Sequence, residues 1–317
     1  MRHALTTGVC GTLVAGALVA AGGILAVPAN AAGSGVVYVS PTGKSGNPGT
    51  QSKPVKTLAD VRKVLAARQN PPTVTVLFKG GTYKLPQYRW GNWSARSVTF
   101  EPQPGTGAPV FDGAKRQKYW LVVDPTRTKL TFTGLRLSRY ATGGIMLRGT
   151  GTADSRRVIG ATIKAMKFTD MGGARSGYAA VHLNYARNTT ITGNTFRNLV
   201  NRGCPGCMHA VYFANQSNNN TVSGGTFSKV SGDAIRAADY SNGNKVRGGS
   251  YSRTGTKAVF SAWRLARNTR CSHGNVFYTA ARFSKSYRGA TIPTVLDGAD
   301  DSSKPPCTPR AVVRKNP

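Results

Sequence analysis

Carboxylates are scarce in this chain. Eleven Asp and Glu stand against 43 Lys and Arg, giving a formal net charge of +32, and there are only four histidines. So few acids leave little material for a calcium cage of several carboxylates or for the spaced carboxyl pair of a glycosidase. A Gly-rich phosphate loop and a repeated Cys/His ligand spacing are also missing, which argues against a nucleotide-dependent enzyme or a zinc module. The sequence contains no recognised nucleic-acid module, so specific nucleic-acid recognition is not expected. After residue 31 no apolar run approaches the roughly 20 residues that span a bilayer, so no stable membrane span is expected there.

What is present begins with a leader. Arg2 is followed by an Ala, Gly, Leu and Val run from Gly11 to Val27, and Ala29-Asn30-Ala31 supplies small residues at cleavage spacing. This is the layout of a secretory signal peptide over residues 1–31, with an uncleaved anchor as the rival reading. Cys10 lies before most of the apolar run and makes a poor lipoprotein site. A secreted, extracellular protein is expected. Arg2 is the one charge in the leader, so +31 remains on the body. Charge on this scale attracts polyanions. Outside a cell these are acidic polysaccharides, wall polymers and anionic surfaces, and a solvated basic surface without a partner is the plainer reading.

Four cysteines follow the leader: Cys204, Cys207, Cys271 and Cys307. In an exported chain an even count reads as disulfides. The pairing Cys204–Cys207 with Cys271–Cys307 is favoured, although four cysteines allow three connectivities. The Cys-Pro-Gly-Cys spacing also occurs in redox and zinc sites, but a second such motif and a βαβ context are both missing.

Residues 32–295 read as one domain built on a repeat. Gly144-Ile145-Met146-Leu147, Ala180-Val181-His182-Leu183, Ala210-Val211-Tyr212-Phe213, Ala234-Ile235-Arg236-Ala237 and Ala258-Val259-Phe260-Ser261 share a small, β-branched, variable pattern. Their β-branched residues recur at intervals of 36, 30, 24 and 24. A second pattern sets Ile163 with Phe168, Ile191 with Phe196, Val222 with Phe227 and Val246 with Tyr251, each five apart, and Phe132 with Leu137 extends it upstream. A repeat near 24 residues is too short for a propeller blade and fits one rung of a parallel β-helix, with the longer intervals as corner insertions. One helical window, Leu58 to Arg68, has Val61, Val64 and Leu65 at helical spacing behind a capping Thr57. Residues 296–317 carry Asp297, Asp300, Asp301, Pro305 and Pro306 and read as an extended tail held by Cys307.

A family resemblance adds to this. Val37-Tyr38-Val39-Ser40-Pro41-Thr42-Gly43, Pro54-Val55-Lys56-Thr57-Leu58, Gly80-Gly81-Thr82-Tyr83, Val98-Thr99-Phe100-Glu101 and Pro109-Val110-Phe111-Asp112-Gly113 resemble the opening of secreted pectin-lyase-like proteins. The resemblance implies an all-β, right-handed parallel β-helix with a short N-terminal capping helix; a monomer is expected. It also implies action on an acidic polysaccharide. Lyases of this fold usually hold calcium between several carboxylates. The acids near the repeat are Asp233, Asp239 and Asp170, so calcium is only weakly indicated and no other cofactor is. Gly232-Asp233-Ala234-Ile235 resembles part of a polygalacturonase-like aspartate set, but a second adjacent Asp is absent.

Strand alternation places the candidate chemistry. If Val181, Val211, Ile235 and Val259 point inward, then Met146, His182, Tyr212, Arg236 and Phe260 form an outward column beside small residues, a shallow groove. His182, Tyr212 and Arg236 would stand about 5 Å apart on adjacent rungs. Such a set has the parts for β-elimination at a uronate. A cation, Arg236 or Lys257, neutralises the carboxylate. His182, His209 or Tyr212 takes the C5 proton, and Tyr212 protonates the leaving oxygen. Asp233, Lys257, Asn184, Asp239 and Trp263 are the candidate substrate contacts, with Trp263 either stacking on a sugar or buried. The expected function is a lyase acting on an acidic (uronate) polysaccharide. Epimerisation remains open, and the alternative is a non-catalytic binder of an anionic polymer.

Overall fold

The computed structural model describes residues 35–264, 271–278, 282–299 and 312–314. The leader and Cys307 lie outside them. Three parallel sheets run the length of the molecule, one of ten strands and two of eight, and every neighbour in a sheet comes from the next coil of the chain. The result is a parallel β-helix: strand, corner, strand, corner, strand, corner, then up one rung.

Each sheet contributes a column of stacked inward residues. In the first sheet Phe100, Phe132, Ile163, Ile191, Val222, Val246 and Phe277 follow one another in register. In the second the order is Tyr83, Phe111, Leu137, Phe168, Phe196, Phe227 and Tyr251. Phe168, Phe196, Phe227 and Tyr251 stack at 5.0, 4.9 and 4.4 Å between ring centroids. The five-residue spacing seen in the sequence is therefore the distance across one corner. That corner is turned by one left-handed residue at Gly134, Ala165 and Gly193, with φ of 69°, 51° and 62°, and by two consecutive positive-φ glycines at Gly224-Gly225 and Gly248-Gly249. Polar groups also stack inside. Asn220 Nδ2 donates to Asn244 Oδ1 and Asn244 Nδ2 to Asn275 Oδ1, both at 3.0 Å, and all three residues are buried.

The third sheet carries the repeat on which the site was placed. Ile145, Val181, Val211 and Ile235 stack inward as expected. The next rung is shifted by one residue. Ile235 pairs with Phe260 and Arg236 with Ser261. Phe260 thus belongs to the core, edge-on to Tyr251 and stacked on Phe277, each at 5.1 Å. The larger ring fills the inward slot that pattern matching had given to Val259. Val295–Ala299 pairs with Phe260–Arg264, and Val312–Arg314 with Val276–Tyr278, so the boundary expected after 295 falls within a strand.

The helix Leu58–Ala67 covers the first rung. Its start is a full capping box: Asp60 N donates to Thr57 Oγ1 at 3.1 Å, and Thr57 N to Asp60 Oδ2 at 3.0 Å. Leu58, Val61 and Leu65 are buried in the core, and Arg68 ties the helix end to the carbonyls of Val36 and Pro48. Among the described residues no helix is long and apolar enough to cross a membrane.

Candidate functional site

The register brings His182, Tyr212 and Arg236 onto adjacent rungs of the third sheet, on its outer side, as expected. They do not line an open groove. His182 and Tyr212 are buried, and so are His209, Asp233, Asp239 and Trp263, while Lys257 is exposed and Arg236 and Asn184 are half-buried. Alternation gives the outward direction of His182, Tyr212 and Arg236 but carries no information on what lies over them, and it does not place His209, Asp233 or Lys257, which sit at the corners where the strands begin. Two tyrosines from neighbouring segments cover the column. Tyr178 packs on His182 at 4.7 Å and on Tyr212 at 5.0 Å, and Tyr119 Oη lies 3.4 Å from His182 Nδ1. Tyr178 and Tyr212, together with Ala179, Ala214, Ala238 and Trp263, make a small second core outside the sheet.

Several polar groups in this outer core pair with one another, while Arg236 Nε and Trp263 Nε1 are buried without a hydrogen-bond partner among the described residues. Asp233 Oδ2 accepts from Arg236 Nη2 and from Ser261 Oγ, both at 2.6 Å, and Oδ1 accepts from Ala258 N at 3.3 Å. His209 Nδ1 bonds the Asp233 carbonyl at 2.7 Å, which places its proton on Nδ1 when neutral. Arg236 and Lys257 lie over the Trp263 ring, each at 4.7 Å. Asn215 Nδ2 donates to Asn184 Oδ1 at 2.6 Å.

Burial governs the titrations. It pushes His182 down to about 4. It also lowers His209, with Arg236 adding to the effect and Asp233 opposing it. Burial pushes the Tyr212 phenol well above the usual tyrosine range, reinforced by Tyr178 and Asp239. Burial would raise Asp233 too, but Arg236, His209 and Ser261 outweigh it and hold the carboxylate below its ordinary value. His182 and Tyr212 are therefore neutral near pH 7, and the charge of Arg236 is matched by Asp233.

An open concavity lies at the corner between the second and third sheets. It measures about 730 Å³ and presents Lys115, Asp170, Asn198, Arg202, Lys229 and Tyr287. Sequence reading missed it, because corner residues do not follow the strand alternation. A signal was present nonetheless. Arg139, Asp170, Asn198, Lys229 and Arg253 each stand two residues after a stacked core residue of the second sheet, and all have φ between 49° and 57°. The same left-handed turn on each rung sets them in a row along one edge.

Within that row Asn198 Nδ2 donates to Asp170 Oδ1 at 2.6 Å. Lys115 Nζ donates to the Asp170 carbonyl and, at 2.9 Å, to that of Gly172. Burial pulls Lys115 below the usual lysine range; Asp170 opposes this, and Arg202 and Arg139 add to it. The loop from Met171 to Tyr178 joins the two regions, since its first part lines the cleft and Tyr178 closes the outer core. It is braced by the 202–207 loop, where Arg202 N bonds Gly173 O at 2.9 Å and Cys204 and Cys207 form a disulfide. Cys271 is also disulfide-bonded, while its expected partner Cys307 lies outside the described residues.

Neither region fits calcium. Among the described residues Asp170 is the one carboxylate lining the cleft, and it already accepts from Asn198. Asp233 is held by Arg236 and Ser261. Among the described residues no three His, Cys, Asp or Glu side chains converge, and a calcium ion requires six to eight oxygens.

Comparison with known proteins agrees with the architecture. A family model described as "Right handed beta helix region" matches residues 121–277. Among solved structures, a pectate lyase superposes with a TM-score of 0.51 at 15% identity, covering 84% of this chain and 78% of that one. A rhamnogalacturonan lyase gives 0.48 at 16% identity, covering 83% of this chain and 66% of the lyase, just under two thirds. A comparison with curated protein sequences returns no match. At 15% identity the likeness to the pectate lyase shows the fold alone.

Proposed function

We propose that this chain, a pectin-lyase-like right-handed parallel β-helix, is a secreted carbohydrate-active protein that holds an acidic polysaccharide in the corner cleft and cleaves it by β-elimination. One observation carries the reading: Lys115, Arg202 and Lys229 line an open cleft in which Asp170 is the single carboxylate among the described residues. A uronate polymer supplies the negative charge that this wall lacks.

The chemistry follows from the same groups. Arg202 or Lys229 neutralises the uronate carboxylate and so acidifies the C5 proton. Lys115, with its lowered pKa, is the candidate base. As that proton leaves, the C4–O bond breaks, a C4–C5 double bond forms, and Tyr287 or water protonates the departing oxygen. The groups first assigned these roles, His182, His209, Tyr212 and Arg236, act in this reading as the packed support of the loop that shapes the cleft.

A second reading, binding without cleavage, is favoured by one observation. Lys115 already donates to two carbonyls, which stabilises its protonated form. Incubation with a panel of uronate polymers separates the two. Growth of ultraviolet absorbance from unsaturated chain ends supports cleavage, retention of polymer without it supports binding alone, and neither outcome rejects both.

A further inference from the structure

The row of left-handed residues at the cleft does not stop where its charged wall does. Asp170, Asn198, Lys229 and Arg253 follow one another in register, because Thr169 pairs with Arg197, Leu199 with Val230 and Val230 with Thr254. Lys285 continues the row. It stands two residues after Phe283, which pairs with Tyr251, and its carbonyl accepts from Thr254 N at 3.0 Å. Successive positions are one rung, about 5 Å, apart. Lys229 lines the cleft, and so does Tyr287, two residues beyond Lys285. Arg253 and Lys285 lie alongside, exposed.

This row is unfavourable for folding in two separate ways. Lys229 and Arg253 have φ of 55° and 49°. That conformation crowds the Cβ of an ordinary side chain, and glycine, asparagine and aspartate tolerate it best. Asp170 and Asn198 are of the tolerant kind, whereas Lys229 and Arg253 are not. Lys229, Arg253 and Lys285 also stand one above another, and like charges facing each other on neighbouring strands repel. Among the described residues the ion pairs are made by other groups. The head of the row is built differently. Arg139, equally left-handed, is held by both carboxylate oxygens of Asp112.

Strain and repulsion retained together at exposed positions mark a place that serves a ligand rather than the fold. The ligand must bring the missing negative charge, and it must bring it repeatedly along the axis. From Asp170 to Lys285 the row covers four rung spacings, roughly 19 Å. An extended polyanion laid parallel to the axis would meet one cation on each of the last three rungs.

We propose that Lys229, Arg253 and Lys285 form a track that carries the acidic glycan along the β-helix axis, with Arg253 and Lys285 each taking a uronate carboxylate from the part of the chain outside the cleft. This deepens the cleft reading and rests on it. Affinity then rises with chain length, since a short oligomer fills the cleft and a longer one also reaches the track.

The test titrates trigalacturonate and hexagalacturonate into the full chain by calorimetry. The parent chain should bind the hexamer roughly tenfold more tightly than the trimer. Arg253→Asn, which places at 253 the residue type found at 198, should lose most of that gain, and so should Lys285→Ala. Arg253→Lys keeps the charge and should retain it. Lys245→Ala, which removes an exposed cation from the first sheet, should leave it unchanged. Thermal melting separates a binding role from a structural one. Arg253→Asn relieves strain and repulsion, so it should melt at or above the temperature of the parent chain. Lost binding together with a lower melting temperature overturns the track, and so does hexamer affinity unchanged in both Arg253→Asn and Lys285→Ala. If the parent chain binds the hexamer in that last case, the cleft reading stands and only the track fails. A parent chain that binds neither oligomer rejects both. Inorganic polyphosphate bound as tightly as the hexamer, and weakened equally by Arg253→Asn, would overturn the assignment to a glycan.

Discussion

Arg236 and Asp233 form a closed ion pair beneath the outer face of the third sheet, with Nη2 and Oδ2 at 2.6 Å and side-chain exposures of 15% and 1%. Three residues apart in the chain, they meet because Asp233 sits at the corner just before the strand and turns back over it. Ser261, one rung further on and in register with Arg236, completes the acceptor set of the carboxylate. Breaking such a pair from one side leaves a buried charge uncompensated. Asp233→Ala should therefore lower unfolding stability by about 3–5 kcal/mol, and adding Arg236→Met should recover most of that loss. Urea unfolding of the single and double variants checks this. A single variant as stable as the parent chain would show that the pair is open to water.

Histidine burial sets an acid sensitivity. Both His182 and His209 are depressed in the folded state. Below the ordinary histidine value of about 6.5, the unfolded chain therefore takes up protons that the folded chain refuses. Their contribution to stability is complete above that value and is lost as the pH falls towards about 4, the folded value of His182. For His182 the full traverse amounts to something on the order of 3 kcal/mol. The melting temperature should drop between pH 7 and pH 5, and the drop should be shallower in His182→Gln. A flat profile across that range would contradict the burial of both rings.

The asparagine ladder should behave as one unit. Asn244 Oδ1 accepts from Asn220 N and Nδ2, and its own Nδ2 donates to Ser217 O and Asn275 Oδ1, all at 3.0 Å. Asn244→Ala leaves several buried partners unmet and should cost about 2–4 kcal/mol. Thr195→Ala, on the outer face of the second sheet, should change stability by less than about 0.5 kcal/mol. Denaturant midpoints of the two variants compare them directly, and equal midpoints would contradict the stacked arrangement.

The β-helix itself was legible because its rungs repeat side-chain type as well as spacing. Phe168, Phe196, Phe227 and Tyr251 must stack on one another, so their sequence period reports the coil length. The capping helix was legible for a similar reason, since Thr57 and Asp60 satisfy each other's backbone donors locally. The rung at Phe260 was misplaced because both Val259 and Phe260 can fill an inward slot, and only packing against Tyr251 and Phe277 decides between them. The site was read less well. The pattern of a strand tells which side a residue faces. It does not tell that Tyr178, contributed by a loop, will close over His182 and Tyr212.

Binding to the corner cleft should be electrostatic in origin. Raising the ionic strength should weaken retention of an acidic polymer, because contacts at an open cleft are screened within about 10 Å at 0.1 M salt. Arg202→Ala and Lys229→Ala should each weaken it by about tenfold. His182→Gln, which alters the covered column and leaves the cleft walls in place, should not. Retention on immobilised polygalacturonate, measured at low and high salt, gives both comparisons. Equal retention by the cleft variants and the parent chain would move the binding surface elsewhere.

The most direct measurement is the ultraviolet absorbance of uronate polymer incubated with the unmodified chain and with Lys115→Ala, Arg202→Ala and Tyr212→Phe. Unsaturated ends should accumulate with the unmodified chain and with Tyr212→Phe, and fall at least a hundredfold in rate when Lys115 or Arg202 is removed. Accumulation that survives loss of Lys115 and Arg202 but stops in Tyr212→Phe would return the chemistry to the covered column and contradict the assignment of the cleft.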